Sequence, residues 1–77
     1  MANPSVRKRQ NGCDITVNGR VVSTEARTLA DLVAAEGFSE AKVATAVNGD
    51  FVPTRARGAT AIQEGDSVEI LSARQGG

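Results

Sequence analysis

The sequence predicts an α+β domain in which a mixed sheet of four to five strands folds over one helix. Three observations carry that expectation. Two β-rich stretches each run into an Asn-Gly pair, a capped amphipathic segment lies between them, and a last alternating stretch closes the chain. A lone helix can cover only one face of a sheet, so the strands have to share a single sheet with one buried side.

"DITVNGRVVST" is the first element. Ile15 and Val17 alternate with polar neighbours, and Asn18-Gly19 supplies the two positive-φ positions of a type I′ turn. Val21 and Val22 then lie on the return strand of a hairpin. In "TLADLVAAEGF", Thr28 is a natural N-cap with Asp31 three residues on, a capping-box pattern with a short acid that also favours the positive end of the helix. Leu29, Leu32 and Val33 form one apolar stripe, and Gly37 supplies a left-handed position after the last turn. A helix of two to three turns follows.

After a linker, "VATAVNGDFVP" repeats the hairpin pattern around Asn48-Gly49, and Pro53 ends the pairing. "TRARGATA" reads as polar and irregular. "IQEGDSVEIL" gives a turn at Glu64-Gly65-Asp66 and a last strand, with Val68 and Ile70 on one face and Glu69 and Leu71 on the other. Ile15, Val17, Leu29, Leu32, Val33, Val68 and Ile70 are therefore the expected core. The boundaries read as a disordered extension over 1–13, a folded domain over 14–71 and a flexible tail over 72–77.

Composition narrows the function. With 77 residues there is room for one domain, and with two Phe and neither Trp nor Tyr its core is aliphatic. No apolar run approaches the ~18 residues of a membrane span, and "MANPSVRKRQNG" lacks the apolar stretch of a secretory signal. One cysteine, Cys13, forms no internal disulfide, which fits a reducing cytoplasm. Residues 1–13 carry Arg7, Lys8 and Arg9 and no acid, whereas residues 14–77 carry nine acids against six bases. Three basic residues without an aromatic platform make a poor nucleic-acid site. There is no histidine, no Ser or Cys with a base nearby in sequence and no Walker-type loop, so the chain reads as a non-enzyme.

The order of elements, the final strand and the terminal Gly76-Gly77 resemble the ubiquitin-like β-grasp family. Within it, "AVNGDFVP" followed by "IQEGDSVEILSARQGG" resembles the thiamine-biosynthesis sulfur carrier proteins. The resemblance covers residues 14–77. It implies that the Gly77 carboxylate is adenylated by a separate ATP-using adenylyltransferase. A persulfide donor, such as a cysteine desulfurase, then supplies sulfur to form a thiocarboxylate, which is passed to thiazole synthase. Ala73, Arg74, Gln75 and Gly76 would be the part that enters the partners' active sites, and Leu71 a docking contact. The carrier would bind no cofactor of its own and be a monomer alone, without nucleic-acid or membrane partners.

Two other classes share the fold. One is a carrier for molybdopterin or cysteine synthesis, and the other a ubiquitin-like modifier forming amide bonds through Gly77. Molybdopterin carriers are commonly longer between the helix and the last strand, so the compact "AVNGDFVP" stretch favours thiamine. Other residues have plainer readings. Asn18-Gly19 and Asn48-Gly49 need nothing beyond turn geometry. Cys13, beside Gly12 at the junction with the extension, reads as an incidental thiol rather than a persulfide carrier. Glu64 and Asp66, with no histidine anywhere, read as a solvated turn rather than a metal pair.

Overall fold

The structure, a computed structural model, describes residues 12–72. Strands β1 (Cys13–Val17) and β2 (Arg20–Thr24) form the first antiparallel hairpin, with Thr16 opposite Val21 and Val17 opposite Arg20. Its turn places Asn18 at φ 52° and Gly19 at φ 86°, the left-handed pair that a type I′ turn demands. Helix α1 (Leu29–Ala35) starts where expected: Thr28 is extended, and its hydroxyl accepts the Asp31 N–H at 3.1 Å. It stops at Gly37, whose N–H donates to the Ala34 carbonyl while Phe38 N–H reaches back to Val33.

Strands β3 (Val43–Val47) and β4 (Asp50–Val52) form the second hairpin around Asn48-Gly49, and β5 (Ser67–Ser72) follows the Glu64-Gly65 turn. The five strands make one mixed sheet in the order β2-β1-β5-β3-β4. The last strand is thus central, parallel to β1 on one edge and antiparallel to β3 on the other. This is the α+β, single-helix β-grasp architecture that the sequence predicts. Helix α1 packs Leu29, Leu32 and Val33 against Ile15, Val17, Val68 and Ile70, and all seven are buried as expected.

Several features depart from the sequence reading. Val52 and Ile62 also join the core, although neither lies in a periodic run. The linker after the helix contains a 3-10 turn at Glu40–Lys42. "TRARGATA" is not irregular: Thr54–Ala59 forms a second 3-10 segment that buries Arg57, which is only 1% exposed. Its Nε donates to Thr45 Oγ1 (2.9 Å), and its two Nη atoms donate to the carbonyls of Glu40 and Val43 (2.7 Å each). One planar guanidinium thereby ties both 3-10 pieces to β3. At the ends, Cys13 pairs with Thr24 inside β1, and Ser72 pairs with Val43 inside β5, so the first and last strands in sequence each reach one residue beyond 14–71.

Candidate functional site

Alternation along β5 decides which of its side chains face the core and which face out. Val68 and Ile70 point to the helix, so Glu69 and Leu71 project from the opposite face of the sheet. Leu71 is 61% exposed there, and the hydrogen-bond register sets it against Ala44 of β3. Ala46, one step along, lies between Glu69 of β5 and Phe51 of β4. Phe51 is 69% exposed. The outer face at this end of the sheet therefore carries two large apolar side chains, low alanines beneath them and one carboxylate. Val21, 76% exposed on β2, lies on the same face, opposite Thr16 of β1.

The outward position of Leu71 matches the expectation from alternation. Phe51 was not singled out from sequence, although its place three residues after Asn48 in a tight hairpin fixes its direction. The expected sulfur-bearing Gly77 and the tail residues Ala73, Arg74, Gln75 and Gly76 lie outside the described residues, as does the N-terminal stretch before Gly12. Ser72 is thus the last described residue before them.

The two turn asparagines do more than satisfy turn geometry. Asn18 accepts the Ile70 N–H on Oδ1 (2.9 Å) and donates from Nδ2 to the Ile70 carbonyl (3.0 Å). Asn48 accepts the Ser67 N–H on Oδ1 (2.9 Å) and donates to Asp66 Oδ1 (3.0 Å). One carboxamide holds the start of β5 at Ser67 and the other holds its second half at Ile70. No local signal announces either contact, because the partners lie 52 and 19 residues away.

The remaining candidates fall to structural roles. The Asp66 carboxylate takes the Gln63 N–H and the Asn48 amide, and Glu64 accepts the Asp14 N–H, so this turn is hydrogen-bonded rather than merely solvated. Among the described residues no cluster of three or more metal-ligating side chains occurs. Cys13 is half-buried beside a shallow hollow of about 490 Å³ that Arg27, Ile62 and Glu64 also line. No described helix is long and apolar enough to cross a membrane.

A five-stranded sheet grasping one helix, with its last strand in the centre and running straight into the C-terminal residues, defines a ubiquitin-like β-grasp domain. Residues 11–77 match the ThiS family, and the chain belongs to it. The fold is similar to the crystal structure of the thiamine biosynthesis protein ThiS from Geobacter metallireducens, at 29% identity and a TM-score of 0.68. That match covers 83% of this chain and 99% of the other. No curated protein matches. Family membership bears out the resemblance to the thiamine-biosynthesis sulfur carriers read from "AVNGDFVP" and the final strand.

Proposed function

We propose that this protein carries sulfur as a thiocarboxylate on Gly77 and delivers it for thiazole formation in thiamine biosynthesis. The observation that supports the reading most directly is the join between strand and terminus in a ThiS-family chain. The central strand carries an outward Leu71 as its penultimate residue, and the Ala73–Gly77 segment follows Ser72 in sequence.

The chemistry asks for this division of labour. A carboxylate is a poor electrophile, because its negative charge is shared by two oxygens. On the activating enzyme, a Gly77 oxygen attacks the α-phosphorus of ATP, and pyrophosphate leaves. The acyl-adenylate has lost the carboxylate charge and gained AMP as a leaving group. The terminal sulfur of a persulfide then attacks the acyl carbon and displaces AMP, and a thiol cleaves the S–S bond to leave the thiocarboxylate. Thiazole synthase takes the sulfur.

The partner enzyme supplies the catalytic groups and stabilises the developing charge. This chain supplies reach. Gly76 and Gly77 have no Cβ, so the backbone can approach ATP and the sulfur donor closely. Leu71 and Phe51 are the apolar anchors of the docking face, with Glu69 two residues from Leu71 along β5 and across Ala46 from Phe51. The complement on the activating enzyme is an apolar seat with a basic group.

The test is ATP–pyrophosphate exchange with the cognate activating enzyme, followed by intact-mass detection of oxygen replaced by sulfur. Deleting Gly77, or adding one residue after it, should abolish both signals while the thermal melt stays unchanged. Gly77→Ala should lose part or all of the activity, because its methyl sits beside the carbon under attack. Exchange at the wild-type rate by the Gly77 deletion refutes the carrier reading.

A further inference from the structure

We propose that Asn18 is a positioning residue for sulfur activation: its carboxamide fixes the end of β5, and so the place from which the C-terminal segment departs. This rests on the carrier reading above. The observation behind it is an interruption in the ladder between β1 and β5. The parallel pairing covers only Thr16 with Ser67 and Val17 with Val68, and closes with the Asn18 N–H on the Val68 carbonyl at 2.9 Å. There the chain turns away through Gly19 into β2. Beyond Val68, β1 offers β5 no further strand on that edge.

The next backbone groups on that edge belong to Ile70, since alternate residues of a strand present their N–H and C=O to opposite neighbours. Asn18 meets both: Oδ1 accepts the Ile70 N–H and Nδ2 donates to the Ile70 carbonyl. A primary amide carries the same acceptor and donor as a peptide group. The side chain therefore continues the ladder by one rung after the backbone has left. With β3 on the other edge, pairing Ala44 with Leu71 and Val43 with Ser72, the strand is held from two sides up to Ile70. Without the carboxamide, the last residues before position 73 hang on β3 alone.

Holding this end bears on rate more than on affinity. The docking face is carried by β3, β4 and β5 together: Leu71 keeps its pairing with Ala44 of β3, and Phe51 and the alanines do not depend on Asn18. The reacting carboxylate, by contrast, has to reach a fixed phosphorus. A misplacement on the order of 1 Å at reacting atoms costs about 100-fold in rate. A complex that docks with its last strand displaced is bound but unproductive, which lowers kcat and leaves KM in place.

The molecule contains its own control. Asn48 has the same φ of 52°, sits in the same kind of turn and clamps the opposite end of β5. Glycine tolerates that backbone, so Asn18→Gly and Asn48→Gly each keep the turn and delete one carboxamide. Both variants and the wild type are compared in ATP–pyrophosphate exchange, below the temperature at which any of them unfolds. Amide hydrogen exchange is followed at Ile70. Asn18→Gly should speed exchange at Ile70 and lower kcat by about 10- to 100-fold with KM within about two-fold. Asn48→Gly should leave both kinetic constants within about two-fold of wild type.

Should Asn18→Gly fail to fold, Asn18→Asp decides. It keeps the acceptor for the Ile70 N–H, loses the donor to the Ile70 carbonyl, and is expected to lower kcat in the same way. A wild-type kcat in the Asn18 variant, or an equal fall in Asn48→Gly, overturns the positioning role while the carrier reading stands. Absence of exchange with the wild type itself overturns the carrier reading, and this role with it.

Discussion

Replacing Arg57 should reveal how much of this small fold hangs on one buried guanidinium. The side chain is 1% exposed and donates to Thr45 Oγ1, the Glu40 carbonyl and the Val43 carbonyl at 2.9, 2.7 and 2.7 Å. Every one of these acceptors is neutral. The site was therefore built by hydrogen bonding, with the charge spread over a planar group that is weakly hydrated for a cation. Thr45 completes the arrangement by donating to the Val52 carbonyl at 2.8 Å, which ties the knot to β4.

Leaving a buried neutral acceptor without its donor costs about 1–3 kcal/mol, and removing Arg57 strips a donor from three of them. A chain of 77 residues has a total stability of about 4–12 kcal/mol. Arg57→Ala should thus take a large share of it. Arg57→Met fills much of the volume and removes the buried charge, so it should cost less than Ala. Arg57→Lys should do no better than Met. A compact, strongly hydrated ammonium keeps the desolvation cost, and it cannot present donors in three fixed directions. Urea unfolding of the three variants, read by the midpoint at constant slope, gives the order. A lysine variant closer to wild type than methionine, or an alanine cost below about 1 kcal/mol, would show that the three hydrogen bonds do not hold the fold.

Three further substitutions test the two faces of the sheet, two of them on β5 and one on β4. Ile70→Ala should cost about 2–5 kcal/mol, since it empties a buried position between the helix and the sheet; an unchanged thermal melt would mean that Ile70 does not face the core. Leu71→Asp and Phe51→Asp should leave the melt in place and raise KM for the activating enzyme by about 10- to 100-fold, the loss of one buried apolar side chain of about 1.5–3 kcal/mol. Wild-type KM in both aspartate variants would remove this face from the docking surface.

What the sequence revealed is what a short window encodes. Both type I′ turns follow from Asn-Gly alone, and α1 follows from Thr28, its stripe and Gly37. The inward and outward faces of β5 follow from simple alternation, which placed Leu71 correctly. The missed contacts of Arg57, Ile62 and Asn18 are non-local. Arg57 reads as one more exposed charge in "TRARG", because its acceptors lie 12 to 17 residues upstream. Ile62 is buried through the pairing of its N–H with the Arg27 carbonyl beside the start of the helix, not through any pattern around it. Asn18 satisfied its turn so completely that a second duty for its side chain left no trace in composition.

These non-local contacts have a common physical sense if the protein acts through Gly77, as proposed above. The strand entering the C-terminal segment is the middle one of the five, with β1 and β3 on its two edges, in a sheet whose outer strands are β2 and β4. Its inward side chains, Val68 and Ile70, are among the most deeply buried in the molecule, and its outward Leu71 is left exposed. Core packing and the Arg57 knot thus govern how much of the chain is folded. In the proposed carrier, the outer face governs what the folded chain meets, and the carboxamide of Asn18 governs where the strand delivers its end. Because the three act through separate atoms, their effects should separate in measurement as stability, KM and kcat. A β-grasp that presented its terminus from an edge strand would lose that independence, since any contact able to hold the end in place would also be a contact with the partner.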